Sequence, residues 1–370
     1  MYACSFKCQE GKQMDKETRK RIRDYGITIG TLNPGKMNSL SDVPGVKVGH
    51  MTLSDGPVQT GVTAILPHDG NLFQSKVMGA AEVINGFGKS IGLMQIDELG
   101  TIETPIVLTN TLNVGIAADA LLDVILKDNP GIGTTAGTVN PVVCECNDGY
   151  LNRIRERYVS RDHVVEAIHN AEGQFQEGAV GAGTGMSCYH LKGGIGTASR
   201  LMTIDGSAYT LGVLVLTNFG KRKDLMVNGR NIGPMVTELE KSDSDEPDKG
   251  SVIVIAGTDL PVSERQLKRI ARRAVTGLVR TGSYLANGSG DVVIAFSTAN
   301  QTEHEPGSGF QTRQVLNENL IDLPFRAIAQ ATEEAVLNSL AAADPAVGRD
   351  GNRRAALGDY LQRILKADER

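Results

Sequence analysis

Residues 251–259, SVIVIAGTD, are apolar at almost every position before they end in Gly-Thr-Asp. This pattern predicts a β-strand. Because the apolar residues occupy both sets of alternating positions, we expect both of its faces to be buried. The same short runs of Val, Ile and Thr between turn residues predict further strands at 46–53, 60–67, 105–112, 209–218 and 291–298. A sheet that is buried on both faces needs another layer on each side.

Helices are predicted where apolar residues recur at i, i+3 and i+4. Ser160 and Ser263 are the predicted N-caps of two of them, since a serine hydroxyl can accept a hydrogen bond from the first turn. Together with the doubly apolar strands, these helices predict an α+β fold of stacked sheets covered by helices. The predicted helices cover 117–128, 160–171, 263–282 and 323–342.

Composition excludes several classes of protein. The chain has 370 residues and a formal net charge of -5, whereas a nucleic-acid partner usually requires a basic face. No apolar run reaches the ~20 residues of a membrane span. Residues 1–21 are polar and lack the apolar segment of a secretory signal. We therefore expect a flexible leader over residues 1–21, no membrane or nucleic-acid partner, and a cytoplasmic protein.

Familiar catalytic and metal-binding motifs are missing from the sequence. The segment GAVGAGTGM, residues 178–186, lacks the third glycine of a dinucleotide-binding loop. The histidines form no HExxH motif, and no GxSxG elbow is present. An odd number of cysteines argues against a disulfide framework, and their spacing does not suit structural zinc. The cysteines are Cys4, Cys8, Cys144, Cys146 and Cys188.

The junction of Gly250 and Ser251 offers a different chemistry. The acidic linker LEKSDSDEPDKG, residues 239–250, ends where the apolar strand begins. Cleavage at this junction would leave Ser251 with both a hydroxyl and an α-amine, whose pKa of ~7.7–8 suits a general base. This is the device of N-terminal nucleophile hydrolases. Composition alone also fits a surface loop that leads into a core strand, and Gly-Ser pairs are common.

Several motifs in the same order carry a family resemblance. The chain resembles the self-processing serine aminopeptidases, which include the L-aminopeptidase/D-Ala-esterase/amidase and the β-peptidyl aminopeptidases. The resemblance extends from about residue 22 to near residue 345. Its motifs include LSDVPGVKVGHMTL (40–53), LTNTLNVG (108–115), NPVVCECNDGYLN (140–152), KGGIGTASR (192–200), GVLVLTNFG (212–220), GSVIVIAGTDLPVSERQLKRIA (250–271) and GSGDVVIAFSTAN (288–300).

The resemblance implies a fold and an assembly. It implies a single domain over residues 22–370, a four-layer αββα sandwich similar to the N-terminal nucleophile hydrolases, with the chain connectivity shared by ornithine acetyltransferase. It also implies self-cleavage between Gly250 and Ser251 into an α chain, 1–250, and a β chain, 251–370. Four such αβ heterodimers would form a homotetramer. No metal or organic cofactor is implied.

The resemblance also assigns catalytic roles. Ser251 would be the nucleophile, and Asn218 in LTNFG would donate its amide to the oxyanion. Ser289 and Asp291 in GSGD (288–291) would assist the nucleophile, although some relatives carry Glu in place of Asp291. From the residues alone, the same serine, asparagine and GSGD motif also fit a strand start, a strand-end turn and a tight turn.

Substrate binding is assigned to the segment CECNDGY, residues 144–150. Glu145 matches the position that binds the free amine of the substrate, which would explain an aminopeptidase. Some relatives carry a tyrosine two residues later, where this chain has Asn147. Tyr150 stands nearby, and whether it takes that role stays open.

The resemblance predicts a hydrolase that releases N-terminal amino acids, small or β-type, from short peptides, amides or esters. The choice between α and β, L and D, and amide and ester substrates stays open. One alternative is an acyltransferase of the ornithine acetyltransferase type, which uses threonine. Another is a non-catalytic member of the family.

Overall fold

The computed structural model describes residues 20–240, 250–305 and 307–368. Its helices are α1 Leu93–Leu99, α2 Val114–Asp128, α3 Arg161–His169, α4 Gly233–Glu240, α5 Glu264–Ala271, α6 Ala274–Arg280, α7 Asp322–Ala341 and α8 Gly358–Asp368. Its strands are β1 Lys47–Asp55, β2 Val58–Leu66, β3 Ser75–Gly86, β4 Thr101–Ile102, β5 Ile106–Asn110, β6 Val142–Cys146, β7 Ser187–Cys188, β8 Leu191–Lys192, β9 Ile195–Ile204, β10 Ser207–Asn218, β11 Met226–Val227, β12 Arg230–Asn231, β13 Ser251–Thr258, β14 Gly290–Glu303, β15 Ala346–Val347 and β16 Arg353–Arg354.

Two large sheets form the centre of the molecule. A six-stranded sheet has the order β4-β3-β14-β13-β10-β9, and a four-stranded sheet has the order β1-β2-β5-β6. Strand β13 lies inside the larger sheet, parallel to β14 and antiparallel to β10. The parallel pairs β13–β14 and β5–β6 require long connections, since only antiparallel neighbours can be joined by a tight turn.

Strand β13 shows how the layers stack. Val252 and Val254 pack among residues of α5, α6 and α7, whereas Ile253 and Ile255 pack among residues of the four-stranded sheet. This alternation follows from the two-residue period of a strand. A third apolar cluster joins the outer face of the four-stranded sheet to α2 and α3. The order of layers is therefore αββα, which confirms the expected fold.

The strand predictions are confirmed, but one helix prediction is wrong. Residues 263–282 form α5 and α6 and not one helix. The backbone N–H of Arg273 bonds to the carbonyl of Ile270 at 2.9 Å, an i−3 bond that tightens and ends α5. In α6, a Cβ on Gly277 would lie 2.5 Å from the carbonyl oxygen of Ala329, so the break allows α6 to approach α7 closely.

The two predicted polar segments are only partly described. Residues 1–19 of the leader and 241–249 of the linker lie outside the described residues. Arg21, at the end of the predicted leader, donates hydrogen bonds to the carbonyls of Asn38 and Thr197 at 2.7 and 2.6 Å, so the chain is anchored there. The first two linker residues complete α4. Among the described helices, none combines the length and the apolarity needed to cross a bilayer.

Candidate active site

Three neighbouring strands bring the predicted nucleophile and its partners to one end of the six-stranded sheet. Ser251 is the first residue of β13 and is paired with Asn218, the last residue of β10. On its other side it is paired with Gly290, the first residue of β14. Because side chains alternate along a strand, Ser251 shares the face of Ile253 and Ile255, which is the face between the two sheets.

The Ser251 hydroxyl lies against the peptide that the sequence predicts to be cleaved. It donates a hydrogen bond to the carbonyl oxygen of Gly250 at 2.8 Å. It accepts one from the backbone N–H of Gly290 at 3.2 Å. Ser251 is only 7% exposed, so little water competes for these bonds. The hydroxyl is therefore held beside the carbonyl that it would attack.

Gly250 occupies a place where no side chain fits. A Cβ there would lie 1.9 Å from the carbonyl oxygen of Asn218 and 2.4 Å from the Cα of Phe219. Such separations are far shorter than non-bonded contacts of a carbon atom with an oxygen or with another carbon. The close approach of two backbones thus explains why glycine precedes Ser251.

The Asn218 side chain is held at both ends. Its Oδ1 accepts a hydrogen bond from the backbone N–H of Ser187 at 2.9 Å, and its Nδ2 donates to the carbonyl of Asn147 at 2.9 Å. The bond to Asn147 uses one of the two N–H groups of this nitrogen, and the other can donate to an oxyanion. The amide thus has a fixed orientation next to Ser251, as an oxyanion donor requires.

The predicted pair in the GSGD motif is formed. The Ser289 hydroxyl donates to Oδ1 of Asp291 at 2.5 Å, and both residues are buried. Asn85 of β3 is paired with Asp291 and donates its side-chain amide to the carbonyl of Ser289. Ser289 and Asp291 flank Gly290 in the chain, and the backbone N–H of Gly290 bonds to the Ser251 hydroxyl. The pair therefore adjoins the nucleophile through this backbone.

Glu145 reaches the same region from the other sheet. It lies in β6 and is 2% exposed. Its Oε1 accepts the backbone N–H of Lys89 at 2.9 Å, and its Oε2 accepts the Thr111 hydroxyl. A Cβ on Gly88 would lie 3.6 Å from Oε1 and 3.7 Å from the Cα of Gly290, so the carboxylate and β14 both lie close to this glycine. A buried carboxylate there can accept an ammonium group.

The other two predicted substrate-binding residues have different surroundings. Asn147 is exposed, and its Oδ1 accepts the backbone N–H of Gly149 at 2.9 Å in a local turn. The ring of Tyr150 stacks on the guanidinium of Arg354, whose carbon lies 3.5 Å from the ring centroid. The structure thus places Tyr150 against the C-terminal segment, and its role in the active site stays a prediction.

Two buried charged residues near Asn218 were not predicted from the sequence. Lys192 in β8 is fully buried, and burial lowers its pKa to about 7 even though the nearby Cys188 and Asp148 oppose the shift. Burial likewise raises the pKa of Asp148 to about 7, against hydrogen bonds from Thr60, Asn152 and Asn110. Both lie in motifs that carry the resemblance, but a single lysine or aspartate there gives no sign of burial.

The three cysteines that the structure describes, Cys144, Cys146 and Cys188, are buried. Cys4 and Cys8 lie outside the described residues. Burial raises the pKa of the Cys144 thiol to about 12, so the reactive thiolate is disfavoured.

Comparisons with known proteins find relatives that match almost the whole chain. Beta-peptidyl aminopeptidase BapA of Sphingosinicella microcystinivorans is 39% identical over 354 residues, 90% of this chain and 88% of that protein. The crystal structure of the PH0078 protein from Pyrococcus horikoshii OT3 is 51% identical, with a TM-score of 0.89 over 95% of this chain and 100% of that one.

A second solved structure connects the fold to a type of enzyme. The L-aminopeptidase D-Ala-esterase/amidase of Ochrobactrum anthropi, described as a prototype of the serine aminopeptidases and a variant of the Ntn-hydrolase fold, is 34% identical. Its TM-score is 0.85 over 95% of this chain and 99% of that one. These relatives support an aminopeptidase and do not favour the acyltransferase alternative. The family model of Peptidase family S58 matches residues 38–354, and the chain belongs to that family.

Proposed function

We propose that the protein is a self-processing aminopeptidase in which Ser251 is first the agent of chain cleavage and then the catalytic nucleophile. The observation that carries the proposal is the 2.8 Å hydrogen bond between the Ser251 hydroxyl and the Gly250 carbonyl oxygen. Its setting, with Asn218 on one side and Gly290 on the other, supports both reactions.

Processing begins when Ser251 Oγ attacks the carbonyl carbon of Gly250. The C–N bond then breaks, the hydroxyl proton moves to the departing nitrogen, and an ester joins Gly250 to Ser251. The α-amine of Ser251 is then free, and water hydrolyses the ester to give a carboxylate on Gly250 and to restore the Ser251 hydroxyl. The Asn218 amide would stabilise the oxyanion of the tetrahedral intermediate. The products are the α chain, 1–250, and the β chain, 251–370.

In substrate hydrolysis the free α-amine of Ser251 accepts the hydroxyl proton, since its pKa is near working pH. Ser251 Oγ attacks the first carbonyl of the substrate, and the proton passes to the departing amine or alcohol. Water then releases the amino acid from the acyl-enzyme. The Ser289–Asp291 pair, bonded at 2.5 Å, would orient the proton transfer next to Ser251.

Glu145 would select substrates that have a free N-terminal amine. Its carboxylate is buried and already held by Lys89 and Thr111, so it is fixed before an ammonium group arrives. Short peptides, amides or esters of small or β-amino acids are the proposed substrates, with Asn147 and Tyr150 as further candidates for contact. A cytoplasmic homotetramer of αβ heterodimers, without nucleic-acid or membrane partners, is the proposed assembly.

Replacement of Ser251 by alanine tests the proposal. The wild-type protein should give two fragments on a denaturing gel, and the smaller should begin Ser-Val-Ile-Val by N-terminal sequencing. Ser251→Ala should leave one chain that does not hydrolyse p-nitroanilides of small or β-amino acids, because no nucleophile remains.

A second buried serine provides the control. Ser297 is fully buried in β14, level with the far end of β13, and its hydroxyl bonds to the Leu260 carbonyl at 2.8 Å. Ser297→Ala should be processed and active. If the Ser251→Ala variant were cleaved at the wild-type rate, the proposal would be overturned.

A further inference from the structure

The Asn218 amide lies between two backbone peptide units. The peptide that joins Met186 to Ser187 contributes the N–H that bonds to Oδ1, and the peptide that joins Asn147 to Asp148 contributes the carbonyl that accepts Nδ2. Any group that polarises one of these peptide units therefore also acts on the amide.

Lys192 holds the first peptide unit. Its Nζ donates to the carbonyl of Met186 at 2.9 Å, and also to those of Gly183 and Gly193 at 2.9 and 2.7 Å. The Met186 carbonyl belongs to the same peptide as the Ser187 N–H. A donor on the carbonyl oxygen draws electron density from the nitrogen, so the N–H becomes a stronger donor to Asn218.

Asp148 holds the second peptide unit. Asp148 follows Asn147 in the chain, so its backbone N–H belongs to the same peptide as the Asn147 carbonyl, and its side chain is fully buried. The side-chain amide of Asn152 fixes this carboxylate through a 3.0 Å bond to Oδ1. A negative charge at the N–H end makes the carbonyl a stronger acceptor for Nδ2 of Asn218.

The two residues act at opposite ends of the Asn218 amide. Lys192 is at the end of the chain of bonds that leads to Oδ1, and Asp148 is at the end that leads to Nδ2. Both residues are fully buried, so the field of each in its charged form is weakly screened. The cation at the Oδ1 end draws electron density from the amide and makes its remaining N–H a stronger donor to an oxyanion, whereas the residue at the Nδ2 end holds that nitrogen in place.

We propose that Lys192 and Asp148 are positioning residues that hold the Asn218 amide through the 186–187 and 147–148 peptide units, and that Lys192 also polarises it. This inference rests on the proposed function, since it assumes that Asn218 binds the oxyanion. A lysine that only fastened the glycine-rich loop 181–186 would support stability without acting through Asn218.

A double-mutant cycle separates the two roles. We measure kcat and KM for a small aminoacyl p-nitroanilide, per processed chain that begins at Ser251, in Lys192→Met, Asn218→Ala and the double variant. Lys192→Met should lower kcat about tenfold and leave KM unchanged, because the oxyanion exists only in the transition state. In the Asn218→Ala background the same change should have no further effect. Lys192→Arg, which keeps a cation, should recover part of the loss.

The outcomes distinguish this inference from the proposed function. If Asn218→Ala keeps the wild-type kcat, the oxyanion role of Asn218 is wrong, and so is the inference. If Asn218→Ala lowers kcat but Lys192→Met lowers it by the same factor in both backgrounds, only the inference is overturned. If Lys192→Met does not fold, Asp148→Asn takes its place in the cycle, with the same expected and contrary results. Ser297→Ala is the control for loss of a remote buried hydrogen bond and should keep the wild-type kcat.

Discussion

Arg200 and Lys192 are both fully buried cations that donate to three backbone carbonyls, but Arg200 also has a carboxylate partner. Arg200 in β9 forms an ion pair with Glu334 of α7 at 2.7 Å. Glu334 also receives two hydrogen bonds from Arg23, at 2.6 and 2.8 Å, so one carboxylate joins the start of the described chain to both elements. The partners of Lys192 are three backbone carbonyls.

Burial lowers the pKa of both cations, but at Arg200 the charge and hydrogen bond of Glu334 oppose the shift. Burial pushes the pKa of Glu334 upward, but the Arg23 hydrogen bonds and the charge of Arg200 outweigh it, and the pKa is lowered. Carbonyl dipoles compensate a buried ammonium less well than a carboxylate does, so the pKa of Lys192 is lowered to about 7. The Arg200 cluster therefore fastens three parts of the fold, whereas the field of Lys192 is left to act on the groups around it.

The largest expected effect is on the Arg200 cluster. Glu334→Gln should lower the free energy of unfolding by about 3–5 kcal/mol, because it leaves Arg200 and Arg23 without their carboxylate. Urea denaturation of the purified protein measures this loss.

The adjacent residue supplies the matched control. Glu333 is also buried, and within the described part of the chain its ion pair is with the half-exposed Arg280 at 3.5 Å. Glu333→Gln should cost about 1 kcal/mol or less. Equal losses of unfolding free energy in the two variants would show that the Arg200 cluster stabilises the fold no more than the Glu333–Arg280 pair does.

The second prediction sets the two cations against each other. Arg200→Met should lower the free energy of unfolding by about 2–4 kcal/mol, because Glu334 loses one of its two arginines and keeps Arg23 and the Asn38 amide. It should leave kcat within about twofold of wild type. Lys192→Met should cost about 1–2 kcal/mol, because the lost hydrogen bonds are offset by removal of a buried charge. It should nevertheless produce the larger fall in kcat.

Urea denaturation and steady-state kinetics on the same preparations give both quantities. If Arg200→Met reduced kcat per processed chain as much as Lys192→Met does, the distinction between a fastening cation and a polarising cation would be lost.

The comparison also shows what the sequence could predict. The strand over 251–259 was predicted because both its faces are apolar, and the layer order followed from the family resemblance. Ser251, Asn218 and Gly290 meet because three strands are in register, and their motifs suggested this only through the resemblance. The break between α5 and α6 could not be predicted from the sequence, because the apolar spacing continues across it. The break itself depends on contact with α7.

Buried charges are the part that the sequence could not predict. Lys192 and Arg200 lie in one motif, KGGIGTASR, and nothing in it shows that the arginine reaches a carboxylate in addition to carbonyls whereas the lysine has carbonyl partners. Their partners, Met186 and Glu334, are brought to them by separate elements of the fold. Such roles are set by tertiary contacts, which alternation and spacing do not encode.

The smallest expected effect concerns a third basic side chain, His50. Its Nε2 lies 3.1 Å from the carbonyl of Gln176 and its Nδ1 lies 2.9 Å from the Thr63 hydroxyl. Burial lowers its pKa to about 4, although the bond to the Gln176 carbonyl opposes the shift. Like Lys192, it has a backbone carbonyl as a partner, but its lower intrinsic pKa makes it neutral at pH 7.

The sign of the resulting pH dependence follows from proton binding. Between pH 6.5 and 4 the unfolded chain binds a proton at His50 that the folded chain does not, so stability falls as the pH falls through this range. Allowing for its partial exposure, we expect a contribution of about 1–2 kcal/mol between pH 8 and pH 5. His50→Gln should remove that contribution from the difference in unfolding free energy between the two pH values, measured by urea denaturation. His169 is at an exposed position of α3, so His169→Gln should leave the difference in unfolding free energy between the two pH values as in wild type. If His50→Gln also left this difference unchanged, burial with a carbonyl partner would not be what keeps the His50 ring neutral.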